Sequence, residues 1–193
     1  MSEMKINPWI AQYLEAHCRT MAAVPVEQIA DLRTRFDRAL KGDQQIFVCG
    51  NGGSAANASH FVTDLGKGAS DAIGRRFRCL SLNDNVPWMT AIGNDYAYDD
   101  VFLRQLENFA RPGDLFMAMS VSGNSPNVIR AVEWAAAHGL DTVGLVGGQG
   151  GQLAEKAAFV IQINDTHFGR VEDAHMLICH LLCYSYMDQA QPS

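Results

Sequence analysis

Five short apolar runs decide most of what this chain can fold into. They read IFVCG (46–50), FRCLSL (77–82), DLFMAMS (114–120), DTVGLV (141–146) and AFVIQI (158–163), and each leads into a turn rich in Gly, Ser or Asn. Their hydrophobicity is nearly continuous rather than alternating, as a strand requires when both of its faces are covered. Helical segments separate them: Ala55 to Leu65, Val101 to Ala110, Pro126 to His138 and the short Gln152 to Lys156. Strand and helix in alternation predict a parallel sheet flanked by helices. The expected fold class is α/β, a doubly wound five-stranded parallel sheet.

Ahead of the first strand, Asn7 to Leu40 carries apolar side chains at helical spacing. Ile10, Leu14, Cys18 and Met21 form one run, Ile29, Leu32, Phe36 and Leu40 a second, and Pro25 lies between them. A helical pair over about 7–41 follows. After the last strand, Val171 to Met187 is apolar around most of its circumference, more than one sheet can cover. Together these regions predict an oligomer whose helices pack across subunits. No internal repeat or Pro/Ser-rich linker interrupts the 193 residues, which are read as one domain, 1–193.

Fifteen Lys and Arg against 21 Asp and Glu leave a formal net charge of −6. That is the wrong sign for a surface that tracks nucleic acid or anionic lipid, though it leaves room for a local pocket that takes a small anion. No apolar run approaches the roughly 20 residues needed to span a bilayer. The cysteines (Cys18, Cys49, Cys79, Cys179 and Cys183) are odd in number and lack CxxC spacing, and the N-terminus MSEMKINPWI lacks the layout of a signal peptide. Reduced thiols in a cytoplasmic protein are expected.

Two loops carry the chemistry of an anion pocket. IFVCG runs into NGGSAANASHF, with Gly50, Gly52 and Gly53 ahead of Ser54, which opens a helix. Ligands of open α/β sheets bind at the carboxyl ends of strands, where a glycine turn entering a helix points N–H groups at an anion. The run is neither a Walker loop nor GxGxxG, and a plain connection with Ser54 as N-cap would use the same residues. The second loop, SVSGNSPNVIRA, sets Ser120, Ser122 and Ser125 around Gly123 and Asn124, with Pro126 opening the next helix. Three hydroxyls and free N–H groups can surround a phosphate without Lys or Arg. Each serine alone would serve as a turn residue; two such loops after two strands of one sheet favour the phosphate.

GNGGSAANASHF, the SxSGNSxNVIRA loop, AIGNDYAY and EDAHMLICH, in that order, resemble the sugar isomerase (SIS) domain family, and within it most closely the phosphoheptose isomerases. The resemblance spans nearly the whole chain. It implies a flavodoxin-like sheet, a homotetramer, and a sugar phosphate held by the serine-rich loops. The implied contacts fall on Asn51, Gly52, Gly53, Ser54, Ser120, Ser122, Ser125 and Glu172, with Asn94 and Asp95 nearby.

His60 and Asp64, four residues apart, share one helix face, and Glu172 opens the terminal helix two turns before His180. Histidines and carboxylates in this number suit a divalent metal, zinc for a mixed N/O set. A lone His on an apolar helix is otherwise a core residue, and His175 is read as structural or as supporting the ligands. The resemblance implies zinc on His60, Asp64, Glu172 and His180, with Asp64 and His180 also catalytic. Two positions depart from the family's usual residues: Asp64 replaces Glu, and Glu172 replaces Gln. Asp64 reaches one methylene less far, and the charged Glu172 is placed to compensate by binding metal more tightly or by taking over proton transfer. SHFVTDLGKG is similar to a subgroup found with heptose-nucleotide pathways.

The implied activity is interconversion of sedoheptulose 7-phosphate and D-glycero-D-manno-heptose 7-phosphate through an enediol. It needs a base beside the carbonyl, an acid at its oxygen, and a remote phosphate anchor. The alternative is a non-catalytic member of the family, a sugar-phosphate sensor or a protein-binding regulator of the replication-initiator-associating type. Regulators of that type lack the catalytic histidine, whereas His60 and His180 are both present here. Lys67, Arg75, Arg76 and Arg78 read either as solvated charges or as the lining of a substrate mouth.

Overall fold

Each apolar run forms a strand, and the computed structural model, which describes residues 6–188, shows why the runs are continuous. β1 (Gln45–Gly50), β2 (Arg78–Ser81), β3 (Leu115–Ser120), β4 (Asp141–Val146) and β5 (Phe159–Gln162) form one parallel sheet in the order β2-β1-β3-β4-β5. Successive strand residues point to opposite faces. β1 therefore sends Ile46 and Val48 into one apolar layer and Phe47 and Cys49 into the other, and β3 divides Leu115, Met117 and Met119 from Phe116 and Ala118 in the same way. Both layers exclude water, so neither set of positions tolerates a polar residue. Each buried Phe, Leu, Ile, Val or Met contributes about 1.5–3 kcal/mol.

The helices follow in chain order. α1 (Ile6–Ala22) and α2 (Val26–Lys41) stand on either side of Pro25. α3 (Gly53–Thr63) and α4 (Ser70–Ile73) cross from β1 to β2, and α5 (Val86–Asp95) and α6 (Leu103–Phe109) from β2 to β3. α7 (Pro126–Ala137) leads to β4, α8 (Gly151–Lys156) to β5, and α9 (Phe168–Met187) closes the chain. α2, α3 and α9 cover one layer through Phe36, Phe61 and Ile178. α5, α6, α7 and α8 cover the other through Ile92, Leu106, Val132 and Leu153. The doubly wound sheet expected from the apolar runs is the one observed. α1 has no fully buried residue, though its Met21 packs on the core layer. Among the described residues no helix is long and apolar enough to cross a membrane.

Two features differ from what the sequence led us to expect. Helix α5 was not expected: its apolar period is short, carried by Trp88, Met89 and Ile92. Its start is set locally, by Asn85 accepting the Trp88 N–H at 3.1 Å and by Pro87 in the first turn. Helix α3, expected to end near Leu65, instead continues through a wide turn with i→i+5 bonding at Asp64–Ala69 and on into α4. Such turns recur at functional sites. Glycines let this one pack closely: a Cβ on Gly66 would stand 2.9 Å from the Cys79 sulfur, and one on Gly68 would overlap the Met187 methyl. The buried Ser70 hydroxyl fastens the turn, donating to the Leu65 carbonyl at 2.9 Å and accepting the Phe77 N–H at 3.0 Å.

Candidate active site

The strand order places the switch point of the sheet between β1 and β3, where ligands of such sheets bind beyond the carboxyl ends. Both loops emerge there, since Gly50 of β1 is paired with Met119 of β3. Asn83 steadies the first loop, accepting the Gly50 N–H at 3.2 Å and donating to the Gly50 carbonyl at 2.8 Å. The chain then turns at Gly52, whose φ of 57° suits glycine, and α3 begins at Gly53. A Cβ on Gly50 would come within 2.6 Å of Ser54 Cβ, so the close return of the loop also demands glycine.

In the second loop, Ser120 Oγ accepts the Gly123 N–H at 3.1 Å and Ser122 Oγ accepts the Asn124 N–H at 3.2 Å. Gly123 has φ 65° and packs against Gly150 so closely that a Cβ would overlap the Gly150 carbonyl oxygen. Its own carbonyl accepts from Leu153 N at 2.9 Å, which ties the serine loop to α8.

Between the loops lies a cavity of about 90 Å³ lined by Asn51, Ser54, Ser120, Ser122, Ser125 and Glu172, with Met119, Val121 and Phe168. That exceeds the roughly 10–15 Å³ that a single water needs and leaves room for one compact anion. Ser54 and Ser120 are buried there, at 3% and 5% exposure. The lining contains hydroxyl donors but neither Lys nor Arg among the described residues. The Glu172 carboxylate stands over Gly53, where a Cβ would overlap it, while the Glu172 carbonyl accepts from Asn57 Nδ2 at 2.9 Å. A ligand that fits both walls offers an anion to the serines and a donor to Glu172.

The helix that starts at this cavity carries the second group of residues. His60 Nε2 lies 3.3 Å from Asp64 Oδ2, His180 Nε2 lies 3.7 Å from the same oxygen, and the two rings meet edge to face with centroids 5.1 Å apart. One ligand atom from each of the three residues lies within 4.8 Å of the others. All three side chains are partly exposed, so the cluster is open to a ligand. Three N/O donors this close together could hold a divalent metal ion.

The structure thus brings together His60, Asp64 and His180, and it groups Glu172 with the serines rather than with that cluster. Asn94 and Asp95 lie at the exposed end of α5, where Asn94 Nδ2 donates to Asp95 Oδ1 at 2.8 Å. They stand away from the serine cavity, next to Gly93 in the wall of a second cavity. That cavity measures about 470 Å³ and is lined also by Asn51, Gly52, Asn83, Met89 and Tyr98. Lys67 sits in the wide turn. Arg75 and Arg78 donate to the carbonyls of Leu40 (3.0 Å) and Asp43 (2.7 Å), and Arg76 pairs with Asp71. These arginines gather at the amino end of β2, across the sheet from the serine cavity.

Sequence reasoning missed the group that fixes the entry to α9. Arg170 grips Asp165 with Nε and Nη2 at 2.6 and 2.9 Å, and Thr20 of α1 donates to Asp165 at 2.6 Å. The Arg170 guanidinium holds the Asp165 carboxyl well below the usual carboxylate range. Phe168 and Glu172, two residues to either side of Arg170, both line the cavity. The only sequence signal was an Asp five residues before an Arg, too common to single out.

His175, one turn beyond Glu172, is fully buried, and neither ring nitrogen has a partner in hydrogen-bond geometry. Burial holds its pKa down to about 4, outweighing the Val146 backbone, which favours the protonated form. The ring is a neutral core residue. The cysteines are free. Burial pushes Cys79 up to about 11, and Cys49, Cys179 and Cys183 higher still, so none of these four supplies a thiolate nucleophile.

Comparison with known proteins agrees with this geometry. Phosphoheptose isomerase from Akkermansia muciniphila is 39% identical over 164 residues, covering 82% of each chain. That from Mycobacterium bovis is 42% identical over 161 residues, covering 82% of this chain and 81% of its own. The solved phosphoheptose isomerase from Neisseria gonorrhoeae superposes with a TM-score of 0.87 at 29% identity, covering 95% of this chain and all of its own. The family description "SIS domain" matches residues 11–147, a span that holds both loops and the His60–Asp64 helix face, and the chain belongs to the SIS domain family.

Proposed function

We propose that this protein is a phosphoheptose isomerase, a zinc-dependent homotetramer of the cytoplasm. It interconverts sedoheptulose 7-phosphate and D-glycero-D-manno-heptose 7-phosphate in heptose-nucleotide biosynthesis, with residues 1–193 acting as one SIS unit. The observation that carries this reading is the placement of two groups along one helix. Ser54 at the start of α3 faces the serine cavity, and His60 and Asp64 follow on the same rod. At 1.5 Å per residue, six residues separate them by about 9 Å. That distance suits a ligand anchored by phosphate at one end and reacting at the other. The relatives named above support the same reading.

Two imidazole nitrogens and one carboxylate oxygen within 4.8 Å of one another fit zinc, with His60, Asp64 and His180 as holders and Glu172 as the fourth donor implied by the resemblance. Bound there, the ion would polarise the sugar carbonyl. The chain's own groups account for the proton movements. Asp64 removes the proton beside the carbonyl while His180 protonates the carbonyl oxygen. Asp64 then returns its proton to the former carbonyl carbon while the neighbouring hydroxyl gives its proton to His180, which leaves the aldose and restores both groups. Ser54, Ser120, Ser122 and Ser125 hold the phosphate with the backbone of Asn51, Gly52 and Gly53, so binding energy far from the reacting carbons pays for their alignment. Asn94 and Asp95 meet the sugar from the side of α5. Exposed Trp9, Ile10 and Leu14 on α1, with Leu181 and Tyr184 on α9, support the tetramer. Free cysteines support a reducing compartment.

The test is solvent deuterium incorporation into sedoheptulose 7-phosphate by zinc-supplied protein, followed by NMR. Exchange beside the carbonyl and appearance of the aldose are expected. Sugar binding without exchange or product would instead assign the chain to the non-catalytic regulators of the family.

A further inference from the structure

Asn127 is the second residue of α7 and is only 1% exposed. Burying an amide at a helix position open to any apolar residue is costly unless every polar atom is bonded. Here two of the bonds run to one partner. Asn51 Nδ2 donates to Asn127 Oδ1 at 2.8 Å, and Asn127 Nδ2 donates back to Asn51 Oδ1 at 2.9 Å. Asn127 Oδ1 also accepts the Val128 N–H at 3.0 Å. The Asn51 oxygen takes a second donor, the Tyr98 hydroxyl, at 3.2 Å. Both acceptor sites and one of the two N–H groups of Asn51 are therefore consumed within the protein. What the β1–α3 loop can still offer an anion is mainly backbone N–H.

Two reciprocal hydrogen bonds fix both the distance and the plane of the paired amides. One amide belongs to the glycine loop. The other lies two residues after Ser125, at the rigid start of α7. We propose that Asn127 is the positioning residue of the anion cradle: by gripping the Asn51 side chain it sets the glycine loop at a fixed distance from the serine loop, and Asn51 acts as a strut rather than as a side-chain contact to the ligand. This inference rests on the sugar-phosphate reading of the cavity.

The test is a double-mutant cycle of Asn51→Ala and Asn127→Ala. Calorimetry with inorganic phosphate and with sedoheptulose 7-phosphate reads affinity, thermal unfolding reads stability, and steady-state kinetics separate KM from kcat. Each single variant should weaken binding about tenfold, the usual consequence of leaving a buried polar partner unmet. The double variant should bind no worse than either single one, because both remove the same strut, and KM should rise far more than kcat falls. Should Asn127→Ala fail to fold, Asn127→Gln, which keeps the amide but moves it by one methylene, takes its place with the same expectation. Unchanged affinity in a folded Asn127 variant overturns the proposal. So do losses that multiply to about a hundredfold in the double variant, since Asn51 would then touch the ligand independently. Wild-type protein that binds neither probe refutes the cradle itself, an outcome visible before any variant is made.

Discussion

The carboxylate of Glu172 lies against the Cα of Gly53, in space that any larger residue at position 53 would fill. The backbone at Gly53 is not in the left-handed region, so alanine is sterically allowed in the main chain, and its helix preference gains up to about 1 kcal/mol. A methyl there would displace only the flexible end of Glu172. Gly53→Ala should keep its unfolding midpoint within a few degrees of wild type while lowering kcat/KM for sedoheptulose 7-phosphate at least tenfold. A folded variant with unchanged kcat/KM would show that the position of Glu172 does not matter to the site.

His180 supplies one of three donors to the His60–Asp64–His180 cluster and is the proposed acid. His180→Gln should fold normally and retain phosphate affinity, yet turn over about two or more orders of magnitude more slowly. Zinc titrated into metal-free protein should bind wild type more tightly than the variant. Equal zinc affinity would remove His180 from the ligand set.

Ser120 and Ser122 each accept a loop N–H as well as lining the cavity. The double change to Ala should weaken sugar-phosphate binding by a few kcal/mol, at about 1.5–3 kcal/mol per charge-assisted bond. It should also loosen the loop, visible as faster amide exchange at Gly123 and Asn124. Intact affinity by calorimetry would exclude the hydroxyls as phosphate donors.

The depressed pKa of His175 sets a pH dependence with a definite sign. Above its ordinary value of 6.5 the ring is neutral in both folded and unfolded chains and contributes no slope. Between 6.5 and about 4 the unfolded chain takes up a proton that the folded chain refuses, so stability falls as pH falls, by up to about 3 kcal/mol. Urea unfolding at several pH values should show this loss in wild type and a flatter profile in His175→Leu. Parallel profiles would mean that His175 titrates normally.

The sheet was legible because its three central strands are buried on both faces: DTVGLV coincides with β4, and the other runs fall within a residue or two of theirs. Helix α5 was not, because its apolar period rests on only Val86, Trp88, Met89 and Ile92 over ten residues, beside the Asn85 cap and Pro87. The two loops were readable from glycine and serine spacing, since that chemistry is local. Glu172 was harder to place. Its number on α9 says which helix face it occupies, whereas its contact with Gly53 depends on how closely α3 and α9 approach. Asn127 looked like one more residue in a capped helix start, and only the loop brought beside it reveals its partner.

The wide turn at Asp64–Ala69 bears on how this chain can vary in length. A turn bonded i→i+5 houses one residue more than an α turn, so excising a residue between Gly66 and Gly68 would regularise the rod instead of breaking it. His60 and Asp64 both lie upstream and would keep their phase. The deletion would re-aim only α4 and the stretch leading to β2. Among homologous chains, single-residue gaps should therefore collect here, a place where evolution can shorten the helix without disturbing the residues that bracket its first three turns.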